Sequence, residues 1–179
     1  VKREAAGDRE ASSREANLEA SNCEASSGLR ALLKTRRRVE FRDTDAAGIV
    51  HFSAFFFWME SAEHELLRSA GLHVFERHSD GSETSWPRVS VSCDYRSTAR
   101  FGDELDIAVC VAAIGRTSVT YQFVFEHDGR AVAQGRVVAV RCLMRPGSRL
   151  EPVAIPSDIV ARLTASDAGL EKHRPESTP

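Results

Sequence analysis

Two aspartates, Asp43 and Asp45, stand one residue apart, ahead of Gly48 and then His51. Carboxylates can attack an acyl carbon or take a proton from water, an imidazole titrates near neutrality, and a glycine lets a loop between such groups turn back on itself. The stretch Phe41-Arg42-Asp43-Thr44-Asp45-Ala46-Ala47-Gly48-Ile49-Val50-His51-Phe52 therefore reads as a site and not only as a connection. A lone aspartate in a loop more often closes a turn or caps a helix. A divalent ion shared by Asp43 and Asp45 finds no third ligand in the sequence, so no metal is expected and Asp43 is given a supporting role. His51 has two readings: it orients substrate or shuttles a proton, or it packs at a helix entrance.

The elements on either side must hold this loop in place. Residues 36 to 42 alternate weakly, with Val39 and Phe41 on one face, which predicts a first strand. After the loop, Ser53 offers an N-cap and Gly71 a C-cap. Between them Phe55, Trp58 or Met59, Ala62, Leu66 and Ala70 recur at helical spacing, predicting one long helix. The aromatics Phe55, Phe56, Phe57 and Trp58 crowd its start, as core first and pocket lining second. Glu60, Glu63, His64, Glu65 and Arg68 give it a charged face, for which solvated pairs such as Glu60 with His64 are the simplest expectation.

Beyond a polar loop at residues 78 to 84 the period becomes two and stays so to residue 144. Val89, Val91, Cys93 and Tyr95, then Leu105, Ile107, Val109 and Val111, then Val119, Tyr121, Phe123 and Phe125 alternate with their neighbours, and a valine-rich run follows. Asp128-Gly129 predicts a tight hairpin, Gly115 a turn, and Pro156-Ser157-Asp158 a short last helix. One strand, one long helix and four antiparallel strands make a two-layer α+β domain.

The 179 residues suffice for one domain with a proper core. Residues 1 to 34 are expected to be a low-complexity, disordered tail, because Glu, Ala, Ser and Arg dominate and little apolar surface is available to offset ordering entropy. The domain is placed at 35 to 165, with a flexible tail at 166 to 179. Without the first 28 residues the chain carries 20 basic and 20 acidic residues, a balance that argues against nucleic-acid binding by phosphate neutralisation. No apolar run is long enough for membrane insertion, and a cytoplasmic location is expected. Cys93, Cys110 and Cys142 sit in strand-like runs and read as core thiols; no pair has zinc or redox spacing.

The run from Asp43 to Phe52, its strand-to-helix context, the aromatic helix start and Trp58-Met59-Glu60 together resemble the 4-hydroxybenzoyl-CoA thioesterase family of acyl-CoA hydrolases. The family pattern Asp-x-Asp-x-x-Gly-x-Val is complete here, and the resemblance covers roughly residues 36 to 145. It implies the hotdog fold, a curved antiparallel sheet wrapped around a long central helix. It implies Asp45 as the catalytic carboxylate, nucleophile or general base, and the backbone amide of Phe52, with its neighbour Ser53, as the holder of the thioester oxygen. Unpaired amides at a helix start suit an oxygen gaining negative charge. Gly48 and Val50 belong to the same substrate loop, and Glu63 is a candidate beside a cleft between subunits. The turn Arg116-Thr117-Ser118 is expected near the CoA nucleotide, where the arginine could meet phosphate; its other reading is an exposed hairpin.

The expected activity is hydrolysis of an acyl-CoA thioester to a carboxylic acid and CoA, with CoA as part of the substrate and no further cofactor. Two alternatives stand beside it. A hotdog enoyl-thioester hydratase or dehydratase shares the His-Phe pair, here His51-Phe52, but the Pro-Gly that should follow is Ser53-Ala54. A non-catalytic acyl-CoA binding module is the other. An exposed sheet edge predicts a homodimer, with tetramers a known elaboration in the family.

Overall fold

Residues 30 to 165 are described in the computed structural model, so the expectations for the tails lie outside the described residues except at 30 to 34, where Leu33 and Lys34 already belong to the first strand and Leu33 is buried. The elements run β1 (Leu33–Arg38), a 3-10 turn (Phe41–Asp43), α1 (Ala54–Ser69), β2 (Phe75–Arg77), β3 (Glu83–Ser85), β4 (Arg88–Tyr95), β5 (Glu104–Ile114), β6 (Ser118–His127), β7 (Arg130–Val140), β8 (Cys142–Met144), β9 (Glu151–Pro152) and α2 (Ser157–Thr164). Five strands form one antiparallel sheet in the order β1-β5-β6-β7-β4, and β2-β3-β8-β9 form a second, smaller one. The expected α+β class holds. The polar loop at 78 to 84 is not only loop, since β3 begins within it.

β6 is the middle strand of the main sheet, and its Val119, Tyr121, Phe123 and Phe125 are all fully buried. Strict alternation on β6 therefore marks a face covered by α1. The helix has 16 residues, about 24 Å at 1.5 Å each, and buries Phe55, Met59, Ala62 and Leu66 at helical spacing. It touches β1, β4, β5 and β7, so it spans the sheet from one edge to the other. The helix lies tight against β7, where a Cβ on Gly135 would lie 2.1 Å from the Met59 sulfur. A side chain at that position would push helix and sheet apart. Edge-to-face rings continue the seam, with Phe55 at 5.3 Å from Trp58 and 5.2 Å from Phe125.

Gly71 ends α1 with φ +67°, while Leu72 N–H reaches Leu67 O and Gly71 N–H reaches Arg68 O, the paired bonds of a Schellman cap. Asp128 and Gly129 both take positive φ in the β6–β7 hairpin, as their type predicts. The first strand is a correction. It starts at Leu33 and stops at Arg38, and Phe41, expected on its inner face, is 80% exposed in the 3-10 turn. Cys93 and Cys142 are free thiols, whereas Cys110 is disulfide-bonded and departs from the thiol reading.

The two edges of the main sheet differ in chemistry. On β1 the exposed Lys34, Arg36 and Arg38 place charge along the strand, with Arg36 paired to Glu104 and Asp106 of β5. On β4 the exposed residues include Val89, Val91 and Tyr95. Charge guards one edge against strand addition and leaves the other open to it.

Candidate active site

The loop from Asp43 to Phe52 is tied at both ends by backbone bonds. Thr44 and Val50 form an antiparallel bridge, Asp45 N–H donates to Ile49 O at 2.9 Å, and Gly48 N–H donates to Asp45 O at 3.0 Å. Gly48 sits at φ +72°, a conformation that other residues adopt only with strain. The loop is also stitched to the segment before β5, through Val50 N–H to Ala99 O at 2.8 Å and a bridge between Ile49 and Arg100. Val50 is buried in the core, so it anchors the loop with its side chain pointing inward.

Asp43 and Asp45 do different work. The Asp43 carboxylate accepts from Glu40 N–H at 2.9 Å and its carbonyl accepts from His51 N–H at 2.8 Å, so Asp43 closes the 3-10 turn and braces the loop. Asp45 is exposed. One of its oxygens, Oδ1, accepts from Ala47 N–H at 2.8 Å, and among the described residues Oδ2 has no partner. A carboxylate held by one oxygen and open at the other is fixed in orientation yet still able to react.

At the helix entrance, Ser53 does not act as the expected cap. Its backbone is already helical, and its hydroxyl lies 2.7 Å from His51 Nδ1 instead. The His51 ring also rests on the Phe52 ring at 4.4 Å between centroids. Ser53 N–H makes only a long 3.3 Å contact with His51 Nδ1, and among the described residues Phe52 N–H donates to no acceptor. The Phe52 amide is therefore available to a ligand oxygen at the positive end of α1.

A cleft of about 600 Å³ opens beside the loop, between β1 and the start of α1. It brings Asp43, His51 and Ser53 together with Arg37, Phe57 and Trp58, while Asp45 lies outside its lining. Arg37 is held in place by Glu65, by Ser61 at 3.1 Å and by Thr35 at 2.9 Å. Sequence periodicity gives no sign of this cleft, because residues on strand, turn and helix enclose it together.

Glu63 is not at a cleft in the single chain. It is fully buried, 3.1 Å from Arg88, and burial pushes its carboxyl up to about 7 against the pull of that guanidinium. Arg88 also reaches Glu60 at 3.6 Å and His64 Nε2 at 2.8 Å, so the expected Glu60 to His64 pairing is replaced by pairing through β4. His64 is held below its ordinary value, by burial first and Arg88 second. The Tyr121 hydroxyl is buried nearby without a hydrogen-bond partner. Arg88 was missed from sequence, where it is one arginine among many.

Arg116 and Thr117 lie in the β5–β6 turn, and Ser118 opens β6 directly after it. The loop from Asp43 to Phe52 bonds to residues just before β5, and the turn follows the far end of that strand. With 11 residues in β5 at about 3.4 Å each, roughly 35 Å of strand separates them within one chain. A single chain does not bring the turn to Asp45. Among the described residues no group of three or more His, Cys, Asp or Glu could hold a metal ion, and no helix is long and apolar enough to cross a membrane.

An α+β domain that carries, on one loop, a tethered, exposed carboxylate and a helix-start amide without an acceptor among the described residues has the parts for acyl transfer. The profile of the thioesterase-like superfamily matches residues 39–163, and the chain belongs to that superfamily. It is 30% identical over 138 residues to the 4-hydroxybenzoyl-CoA thioesterase of Pseudomonas sp. (strain CBS-3), covering 70% of this chain and 92% of that protein. It is also 30% identical over 143 residues to the 1,4-dihydroxy-2-naphthoyl-CoA hydrolase of Prochlorococcus marinus (strain MIT 9303), covering 76% and 93%. Among solved structures, a gentisyl-coenzyme A thioesterase superposes with a TM-score of 0.60 at 25% identity, over 73% of this chain and 99% of that one. The resemblance drawn from the Asp43–Phe52 run is thus borne out, and the fold neighbours are hotdog thioesterases.

Proposed function

We propose that the protein hydrolyses acyl-CoA thioesters, with Asp45 as the reacting carboxylate and the Phe52 amide as the oxyanion donor. The observation that carries this is the conjunction on one loop of an Asp45 Oδ2 and a Phe52 N–H that both lack partners among the described residues. A thioester is already an activated acyl group, so no serine triad is required. Two routes fit these groups. In one, Oδ2 attacks the carbonyl carbon, CoA leaves as thiolate, and water hydrolyses the resulting anhydride; in the other, Asp45 takes a proton from the water that attacks. In either, the carbonyl oxygen gains negative charge against an amide that needs no reorganisation. Asp43 braces the loop, and His51 with Ser53 fixes the helix entrance.

The reading extends to a homodimer. If two β4 edges pair antiparallel about a two-fold axis, strand ends are exchanged, and the partner's β5–β6 turn comes to the same end of the joint sheet as Asp45. Arg116, Thr117 and Ser118 would then serve the CoA phosphates across the interface. The sheet wrapped around α1 would be the hotdog arrangement, doubled. Named relatives act on aromatic acyl-CoA thioesters, so aroyl-CoAs head the test panel. Thiol release is measured over aromatic and aliphatic acyl-CoAs, with enoyl-CoA hydration as the competing reaction. Cleavage of at least one thioester without hydration is expected; binding without turnover across the panel would sink the proposal.

A further inference from the structure

Tyr95, at the end of β4, reaches back across 43 residues of sequence to the helix entrance. Its hydroxyl donates to the Phe52 carbonyl at 3.1 Å, and its ring meets Phe55 edge-on at 5.3 Å between centroids. Among the described residues the Phe52 carbonyl has no other donor. In a regular helix it would accept from Phe56 N–H, but that group donates to Ser53 O at 3.1 Å, because the first turn is tightened. Tyr95 is therefore the one tether on this carbonyl among the described residues. Desolvation first, then Cys93 and Asp94, raise the phenol to about 12, so it stays protonated and able to donate across the physiological range.

From this geometry we infer that Tyr95 is a positioning residue for the oxyanion site: by holding the Phe52 carbonyl it fixes the Phe52–Ser53 peptide plane, and so limits rotation at the Phe52 Cα that joins this plane to the one carrying Phe52 N–H. The inference rests on the thioesterase reading above. A carbonyl fixed by a hydrogen bond fixes the rotation of its own peptide plane, and the same bond polarises the Ser53 N–H that shares that plane. The ring has a firm seat, since Phe55 is itself clamped by Trp58 and Phe125. The tyrosine thus links the open sheet edge to the amide that meets the substrate oxygen. Loosening the turn would cost the transition state more than the ground state, because charge on the oxygen develops only as the carbonyl carbon becomes tetrahedral.

Tyr95→Phe removes one oxygen atom and keeps the ring on Phe55. With the acyl-CoA that the wild type cleaves fastest, kcat should fall about 10-fold, less than the 10²-fold or more for deleting a donor outright, and KM should change less than about 2-fold. The infrared carbonyl band of that thioester, bound to Asp45→Asn, should move back towards its solution frequency when Tyr95→Phe is added. An unchanged kcat, a raised KM alone, or an unmoved carbonyl band overturns the inference. If the wild type cleaves thioesters and Asp45→Asn does not, such a result strikes Tyr95 alone; a wild type inert on the whole panel takes both readings down.

Discussion

The buried carboxylate of Glu63 gives a pH dependence whose sign and size follow from its surroundings. Its value rises from 4.5 to about 7 because burial outweighs the attraction of Arg88. Below about pH 4.5 the group is protonated in folded and unfolded chains alike. Between there and pH 7 the unfolded chain loses the proton first, so folding stability falls as pH rises and the loss is complete above the folded value. At about 1.4 kcal/mol per pH unit, the span corresponds to about 3 kcal/mol, a large part of the 5–15 kcal/mol of an ordinary domain. Glu63→Gln keeps the shape and cannot ionise, and Arg88 retains Glu60 and His64. His64, lowered by the same burial, contributes with the opposite sign, but both proteins carry it and their comparison removes it to first order. Urea unfolding from pH 4.5 to 8, at one protein concentration, should show the Gln variant gaining on the wild type by about 1.5 M in midpoint, taking about 2 kcal/mol per molar for the slope. A constant difference, or a wild type that gains on the variant as pH rises, refutes the reasoning and means that Arg88 keeps Glu63 ionised throughout.

Two further outcomes follow from packing and edge chemistry. Gly135→Ala should destabilise the fold by about 1–3 kcal/mol in urea, because the new methyl meets the Met59 sulfur, and adding Met59→Ala should recover part of that loss; a double variant as unstable as the sum of the singles contradicts the steric account. Val91→Lys, placing charge on the exposed β4 edge, should convert a dimeric wild type to monomer in sedimentation velocity at micromolar concentration, and a wild type that is monomeric there removes the argument for a shared site.

Much of the scaffold was legible because it is written in local patterns. The alternation of β6, the Asp128-Gly129 hairpin and the Gly71 cap each depend on neighbours within a few residues and took the expected form, whereas the alternation of β5 holds only to Val109, since Cys110 is buried and the register shifts between Val111 and Ala113. The loop was legible for another reason: a long run of specific residues in the right context resembles a known family. What stayed hidden lies between distant segments. Arg88 meets Glu63 across 25 residues and Tyr95 meets Phe52 across 43, and neither pairing leaves a periodic trace. The second sheet was missed because β2, β3, β8 and β9 have two or three residues each, too few for a period to show. Ser53 misled for a related reason, since a residue suited to capping can spend its hydroxyl on a nearby imidazole.

The central claim is that Asp45 performs the chemistry with the oxygen that the Ala47 turn leaves free. Asp45→Asn preserves the turn, because its side-chain carbonyl can still accept from Ala47 N–H. Single-turnover cleavage of the best acyl-CoA, followed by thiol release, should slow by about 10²-fold or more in this variant while the dissociation constant for the thioester changes little. Cleavage at the wild-type rate would contradict the account.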